Sequence, residues 1–370
     1  MTNPVSDTVG DAQIDQRFVP RPELKALTSL RFFLATWVVY FHAAVPSDPF
    51  YLGRLTVIPY LGIINNGGLA VSSFFCLSGF ILAYNYHDRL STAQERKFFL
   101  VARFARIYPV YLAACLAWIP VGINWIIIER TTPLNTAPSL VLSLVLLQAW
   151  IPSMALIWNA PAWSLSAEAF FYISLPLLLP AANRLKSTAI AALLISFAAI
   201  AIALPHFSAI LPIFRLPEFL AGALAGLLFV RHGSFFGELS PILLILSSVL
   251  ILVVASQPSA RIWSEGILTV PFIVLIYCLT KPPLWMNLFE HPALCFLGES
   301  SYSLYLLHLP VLFVLDFGLK LLTIHPFLKF SVYFLVALAV AAASYIFIEC
   351  PARRALISKY KHSQQMAMAS

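Results

Sequence analysis

Apolar residues along this chain come in long runs separated by short polar segments. The runs at 27–45, 67–86, 107–128, 164–181, 187–204, 213–230, 241–256, 263–280, 301–319 and 330–349 predict ten helices. Each supplies roughly the 20 mostly apolar residues that a helix needs to cross a bilayer. A further run, 138–152, has only 15 residues and is followed by Pro152. A run that short is expected to dip into the membrane without crossing it. The segments between the runs contain no internal repeat, low-complexity tract or soluble-domain pattern. The expectation is one all-α membrane domain over 27–349, flanked by tails at 1–26 and 350–370.

Composition strengthens this reading. Of 370 residues, 60% are hydrophobic and 11% charged, with mean hydropathy +0.86. A soluble domain carries about 25% charged residues. A chain this poor in charge cannot clothe soluble domains in a polar surface. A soluble enzyme, a secreted domain, a disordered regulator and a coiled coil are all excluded, which leaves a polytopic membrane protein. The first 22 residues are polar and lack an apolar core, so no cleavable secretory signal is expected and the first span acts as its own insertion signal. Cys76, Cys115, Cys278, Cys295 and Cys350 have neither paired nor metal-like spacing and read as small core residues. No metal is expected.

The net charge of +7 becomes a topological signal, because loops that stay in the cytoplasm retain Lys and Arg. With ten spans and a cytoplasmic N-terminus, 16 basic residues fall inside and 5 outside, Arg31 and Arg215 lying within spans. If 138–152 also crossed, the division would be 11 against 10. Charge bias therefore favours ten spans, both termini in the cytoplasm, and a re-entrant segment at 138–152.

A charge inside a span costs about 2.5–3.5 kcal/mol on insertion scales, so each such residue is a functional candidate. Arg31 and His42 are eleven residues apart on the first span. That separation is three turns plus roughly 20°, which puts both on one face about 16 Å apart along the axis. Arg31 reads either as a snorkelling anchor or as part of a site. His42 reads either as a polar residue lining the bundle or as a general base. Arg103 and Arg106 share a helix face and could serve topology or clamp phosphates, since the guanidinium fork holds two oxygens at once.

Glu168 lies just inside the fourth run, beside Trp163, Ser164 and Ser166. Counting inward from the outer surface puts it at a depth comparable to His42, where a carboxylate could orient the imidazole. Gly and Ser within 67–80 predict close helix approach. His308 follows Tyr302 and Tyr305 on the ninth run, where it reads as a packed interior histidine or as part of a site. No P-loop, Gly-rich dinucleotide loop, zinc-like cluster or G-x-S-x-G elbow occurs.

Together these residues carry a resemblance. Arg31 with His42, F-F-C-L-S-G-F (74–80), R-F-A-R-I-Y-P (103–109), W-S-L-S-A-E (163–168) and S-S-Y-S-L-Y-L-L-H-L-P (300–310) occur in one order across nearly the whole chain. The sequence resembles the integral-membrane acyltransferases known as acyltransferase family three, which O-acylate bacterial surface glycans such as exopolysaccharide and lipopolysaccharide. The resemblance implies a ten-helix core in the bacterial inner membrane. It implies His42 as the essential histidine and Glu168 as the acid of the W-S-L-S-x-E element. Arg31, Arg103 and Arg106 match the arginines linked to use of acyl-CoA, acetyl-CoA in the first instance.

On this expectation the arginines hold the donor phosphates, and His42, oriented by Glu168, deprotonates a hydroxyl of a polysaccharide or glycolipid acceptor. Trp163, Ser166, Tyr302 and His308 are candidate substrate contacts. Relatives carrying a soluble esterase-like domain have it after the last helix. Here transfer is expected from the membrane domain alone or with polysaccharide-assembly proteins. The competing reading is a transporter or flippase that uses buried His, Glu and Arg as a relay, but the inverted repeats common in transporters are not apparent in the sequence.

Overall fold

The computed structural model describes residues 21–44, 66–128, 131–203, 210–234, 236–257, 266–319 and 325–369. Residues 1–20 of the N-terminal tail and the loops carrying Arg54, Arg130, Arg261 and Lys320 lie outside this set. Among the described residues every regular element is helical. In chain order they are α1 (Lys25–Ala44), α2 (Gly68–Tyr86), α3 (Ala93–Ala117), α4 (Ile119–Ile127), α5 (Pro133–Leu144), α6 (Trp163–Asn183) and α7 (Ser187–Ala203). After these come α8 (Pro212–His232), α9 (Ser240–Ala255), α10 (Thr269–Leu279), α11 (Pro292–Glu299), α12 (Ser301–Leu319), α13 (Pro326–Ser344) and α14 (Cys350–Ala369).

A helix occupies each of the ten apolar runs, but by length and composition six described helices can cross a bilayer. A seventh forms if α10 and the 3-10 segment Leu284–Glu290, bent by 95°, count as one span. The rest are short, as α7 is, or interrupted by charge, as α1 is by Arg31. The third element starts well before its apolar run. Thr92 and Glu95 form a reciprocal capping box, with the Glu95 amide donating to Thr92 Oγ1 at 3.1 Å and the Thr92 amide to Glu95 Oε2 at 2.8 Å. Arg103 and Arg106 consequently sit in the middle of α3 rather than at the mouth of a span.

The 138–152 run does not form one helix. Its α5 portion, Pro133–Leu144, has 12 residues, about 18 Å at 1.5 Å per residue and well short of a 30 Å hydrocarbon core. Beyond α5 the chain turns at Leu146 and Asn159, both at positive φ. The connection is drawn into the protein, with Gln148, Trp158 and Asn159 all buried. Gln148 Nε2 donates to the Ala162 carbonyl at 2.9 Å and Asn159 Nδ2 to the Leu306 carbonyl at 3.2 Å. These bonds satisfy the two amide nitrogens, while the buried Gln148 Oε1 and Asn159 Oδ1 have no hydrogen-bond partner among the described residues.

Helix α1 is central and packs on α2, α11 and α12. Helix α8 packs on α2, α6 and α7. The α2–α8 crossing is the tightest expression of the small residues in 67–80. A Cβ on Gly79 would fall on the Phe219 carbonyl oxygen, and one on Gly222 would fall on the Cys76 carbonyl oxygen. Gly222 and Gly226 form a G-x-x-x-G face, the pattern that lets helix backbones touch in a membrane. Away from these contacts α9 turns Ile242, Ile245, Leu246 and Val249 outward, an apolar surface suited to lipid. Helix α13 continues through a π-helical turn, Tyr345–Glu349, into α14, which packs back on α3.

Candidate active site

Between α1, α2, α3, α6, α12 and the start of α14 lies a cavity of about 410 Å³, within the usual range of small-molecule sites. Helical periodicity selects what each element presents to it. From α1 come Thr28 and Arg31, from α3 Arg103 and Arg106, from α12 Tyr302 and Tyr305, and from α14 Arg353. From α6 come Ser164, Glu168 and Tyr172, four residues apart and so on one face. Glu23 and Arg353 are exposed and mark the opening, while Ser164 and Tyr305 are buried at the closed end.

The electrostatics of the cavity are unbalanced toward positive charge. Arg21, Arg31, Arg103, Arg106 and Arg353 line it with Glu23, Glu168 and Glu299. Arg31 has no hydrogen-bond or ion-pair partner among the described residues, and the charges of Arg103, Arg106 and Glu168 act on it. Arg103 Nη2 donates to the Tyr86 hydroxyl at 3.2 Å, and its guanidinium lies over the Tyr86 ring at 5.5 Å. Its buried Nε has no hydrogen-bond partner. Arg106 forms an ion pair with Glu349, which also accepts a bond from Ser303 Oγ at 3.2 Å. Glu168 accepts from the Tyr172 hydroxyl at 3.1 Å. Several guanidiniums in a low-charge interior, with the buried Nε of Arg21 and of Arg103 both left over, suit an anion that has several oxygens.

At the closed end the Tyr305 hydroxyl donates to the Pro161 carbonyl at 2.9 Å and lies 2.9 Å from Ser164 Oγ. One turn further along α12 is His308, fully buried, with its ring centroid 6.4 Å from that of Tyr305. His308 Nε2 lies 3.4 Å from His42 Nδ1, and the ring centroids are 5.1 Å apart. Backbone carbonyls only accept, so they fix the neutral tautomers. The Tyr305 carbonyl, 2.8 Å from His308 Nδ1, assigns that nitrogen its proton. The Val38 carbonyl, 3.0 Å from His42 Nδ1, does the same there. His42 then carries its lone pair on Nε2.

Two sequence expectations are corrected by this geometry. Among the described residues no hydrogen bond joins His42 to Glu168; Glu168 belongs to the arginine cavity, and His42 to His308. Comparable depth counted along the chain does not bring the two side chains together, because Glu168 meets Tyr172 and His42 meets His308. Trp163 and Ser166 do not line the cavity. Trp163 packs edge-on to Phe75 with Arg215 over its ring, and Ser166 Oγ donates to the Leu146 carbonyl at 2.7 Å. The serine in phase with Glu168 is Ser164, a signal readable from the four-residue spacing. Tyr302 does line the cavity and donates to the Ile107 carbonyl at 2.7 Å. Arg353, in the segment expected to be a tail, is a cavity residue that the apolar pattern gave no reason to single out, as are Thr28, Glu299 and Tyr345.

Fold and site thus define a multi-pass helical membrane protein with a basic cavity whose buried end, at Tyr305, adjoins His308 and through it His42, neither histidine lining the cavity. The profile of the family described as "Acyltransferase domain" matches residues 24–346, and the chain belongs to that family of acyltransferase enzymes. It is 38% identical over 157 residues to "Acyltransferase MdmB" of Streptomyces mycarofaciens, a match covering 42% of this chain and 38% of that protein. It is 31% identical over 156 residues to "Protein 2 in picA locus" of Rhizobium radiobacter, covering 38% of this chain and 75% of that one. The chain thus spans well under half the length of the Streptomyces relative. No solved structure matches it.

Proposed function

We propose that the protein transfers an acyl group, acetyl in the first instance, from cytoplasmic acyl-CoA to a hydroxyl of an exported glycan or glycolipid at the bacterial inner membrane. The observation that carries this reading is a cavity in which arginines converge at one end and Tyr305 closes the other, Tyr305 being one turn from His308, which in turn meets His42; neither histidine lines the cavity itself. Unpartnered Arg31 and the orphaned Nε of Arg103 fit phosphate oxygens. A narrow apolar and tyrosine-lined interior, with Phe74, Phe75 and Tyr305, fits the donor's arm.

In this mechanism Arg31 and Arg103 hold the donor phosphates, while Glu168 keeps those guanidiniums in place and offsets part of their mutual repulsion. His308 accepts from His42 Nδ1–H alongside the Val38 carbonyl, which holds the imidazole in the tautomer with Nε2 basic. His42 Nε2 takes the proton of the acceptor hydroxyl as its oxygen bonds to the thioester carbonyl carbon. The C–S bond breaks, and the proton passes from His42 to the departing thiolate, leaving an O-acyl ester and free CoA thiol.

The test is transfer and slow hydrolysis of radiolabelled acetyl-CoA by purified protein in nanodiscs. His42→Ala is expected to lower turnover by about 10²–10⁴ with acetyl-CoA affinity retained. Arg103→Ala is expected to weaken acetyl-CoA binding about tenfold with membrane insertion intact. Full turnover in His42→Ala would overturn the mechanism, and a wild-type protein that binds no acetyl-CoA would overturn the donor.

A further inference from the structure

The chain beyond the family match returns to the cavity. The matched region ends at residue 346, within the π-helical turn Tyr345–Glu349 that joins α13 to α14. π-Turns occur often at functional sites, and this one sets a face with a clear spacing. Tyr345, Glu349 and Arg353 lie four residues apart. Tyr345 lines the cavity and donates to Glu299 Oε2 at 2.6 Å. Glu349, 1% exposed, forms the ion pair with Arg106. Arg353 lines the opening.

What holds α14 there is visible further along it. Tyr360 packs on Phe98 with ring centroids 5.9 Å apart, and Lys97 Nζ sits 6.0 Å from the centre of the Tyr360 ring. These contacts pin α14 against α3, so Arg353 projects beside Arg103 and Arg106. Those two guanidiniums repel it, and Glu349 attracts it. Glu349 is already bonded to Arg106 and Ser303. Arg353 has no hydrogen-bond or ion-pair partner among the described residues. A cation held against two like charges on a pinned helix, at the mouth of a cavity, calls for an anion that reaches all three.

We infer that α14 is part of the donor site and that Arg353 is a binding residue for a phosphate or diphosphate ester at the cavity mouth. The inference rests on the acyl-CoA reading above and adds to it a residue outside the family match. Two sources share this chemistry, the donor's own phosphates and an anionic phospholipid headgroup, and the inference commits to the donor.

The experiment is equilibrium binding of radiolabelled CoA to full-length protein in phosphatidylcholine nanodiscs, with pantetheine as the phosphate-free competitor. Arg353→Gln is expected to weaken CoA about tenfold and to leave the weaker competition by pantetheine unchanged. Arg353→Lys should restore part of the loss. Arg354→Gln, one position along and absent from the cavity lining, should bind CoA as the wild type does, which separates this position from general surface charge. Adding phosphatidylglycerol tests the lipid source and should leave the Arg353→Gln deficit in place. The inference is overturned if Arg353→Gln binds CoA within twofold of wild type, if Arg354→Gln is weakened equally, or if the deficit exists only with anionic lipid. Wild-type protein that binds no CoA would overturn the donor reading together with this one.

Discussion

His42 donates from Nδ1 to a carbonyl four residues earlier on its own helix, an anchor that any helical histidine could find. What distinguishes it is His308, whose Nε2 lies on that same proton from another helix and whose own tautomer is fixed by Tyr305. If His308 serves to hold His42, His308→Phe should lower turnover by roughly 10–100-fold, the scale on which an orienting partner of a functional histidine acts, and leave the KM for acetyl-CoA within twofold. Comparing kcat with KM in a steady-state assay checks this, and a rise in KM with unchanged kcat would assign His308 to donor binding instead. At this scale the sequence was partly legible. Arg31, His42, Glu168, Tyr302 and His308 stood out because polar groups in apolar runs are expensive, and Arg103 and Arg106 because they share a helix face just before the third run. Their pairing was not legible, since it depends on where each helix begins. Ser164 could have been preferred to Ser166, because only Ser164 shares the face of Glu168 and Tyr172.

The elements themselves were legible as apolar runs, and their ends were not. Composition marks where a helix can sit in lipid; it does not show the capping box that starts α3 at Ala93, the inward fold of 145–162, or the π-turn that extends α13 into α14. The α2–α8 crossing was foreshadowed by small residues, and it carries a prediction of its own. Helix α2 contributes Phe74, Phe75 and Ser78 to the cavity, and its seat on α8 depends on Gly79 and Gly222 meeting backbone directly. Gly222→Val puts side-chain carbons where the Cys76 carbonyl lies. Overpacking of this kind costs about 1–3 kcal/mol, so the variant should unfold at lower temperature in nanodiscs and bind acetyl-CoA more weakly as α2 moves off the cavity. Gly318, near the end of α12, has nothing within reach of an added Cβ. Gly318→Ala should leave binding unchanged. Equal effects at the two glycines would count against the close crossing as the cause.

Across the whole molecule, charge and cavity make the same demand on orientation. The donor reading needs the arginine cavity to open to the cytoplasm, and the basic loops need their own side of the membrane to be the cytoplasm. Arg353 lies at that opening on the same helix as Arg354, Lys359 and Lys361, so one topology satisfies both. Its weak point is 138–152, since a crossing there would move α14 and everything between to the other side. Asn135 and Ser153 flank the segment and are exposed, as is Ser363 on α14. Single cysteines at these positions, in a background with the five native cysteines replaced, can be probed with a membrane-impermeant maleimide on intact cells and on inverted vesicles. Re-entry predicts that Asn135→Cys and Ser153→Cys both label from the periplasmic side and Ser363→Cys from the cytoplasmic side. A crossing would split Asn135→Cys from Ser153→Cys and send Ser363→Cys outward. Arg353 would then lie across the membrane from Glu23, Arg31, Arg103 and Arg106, and the cavity they share could not form.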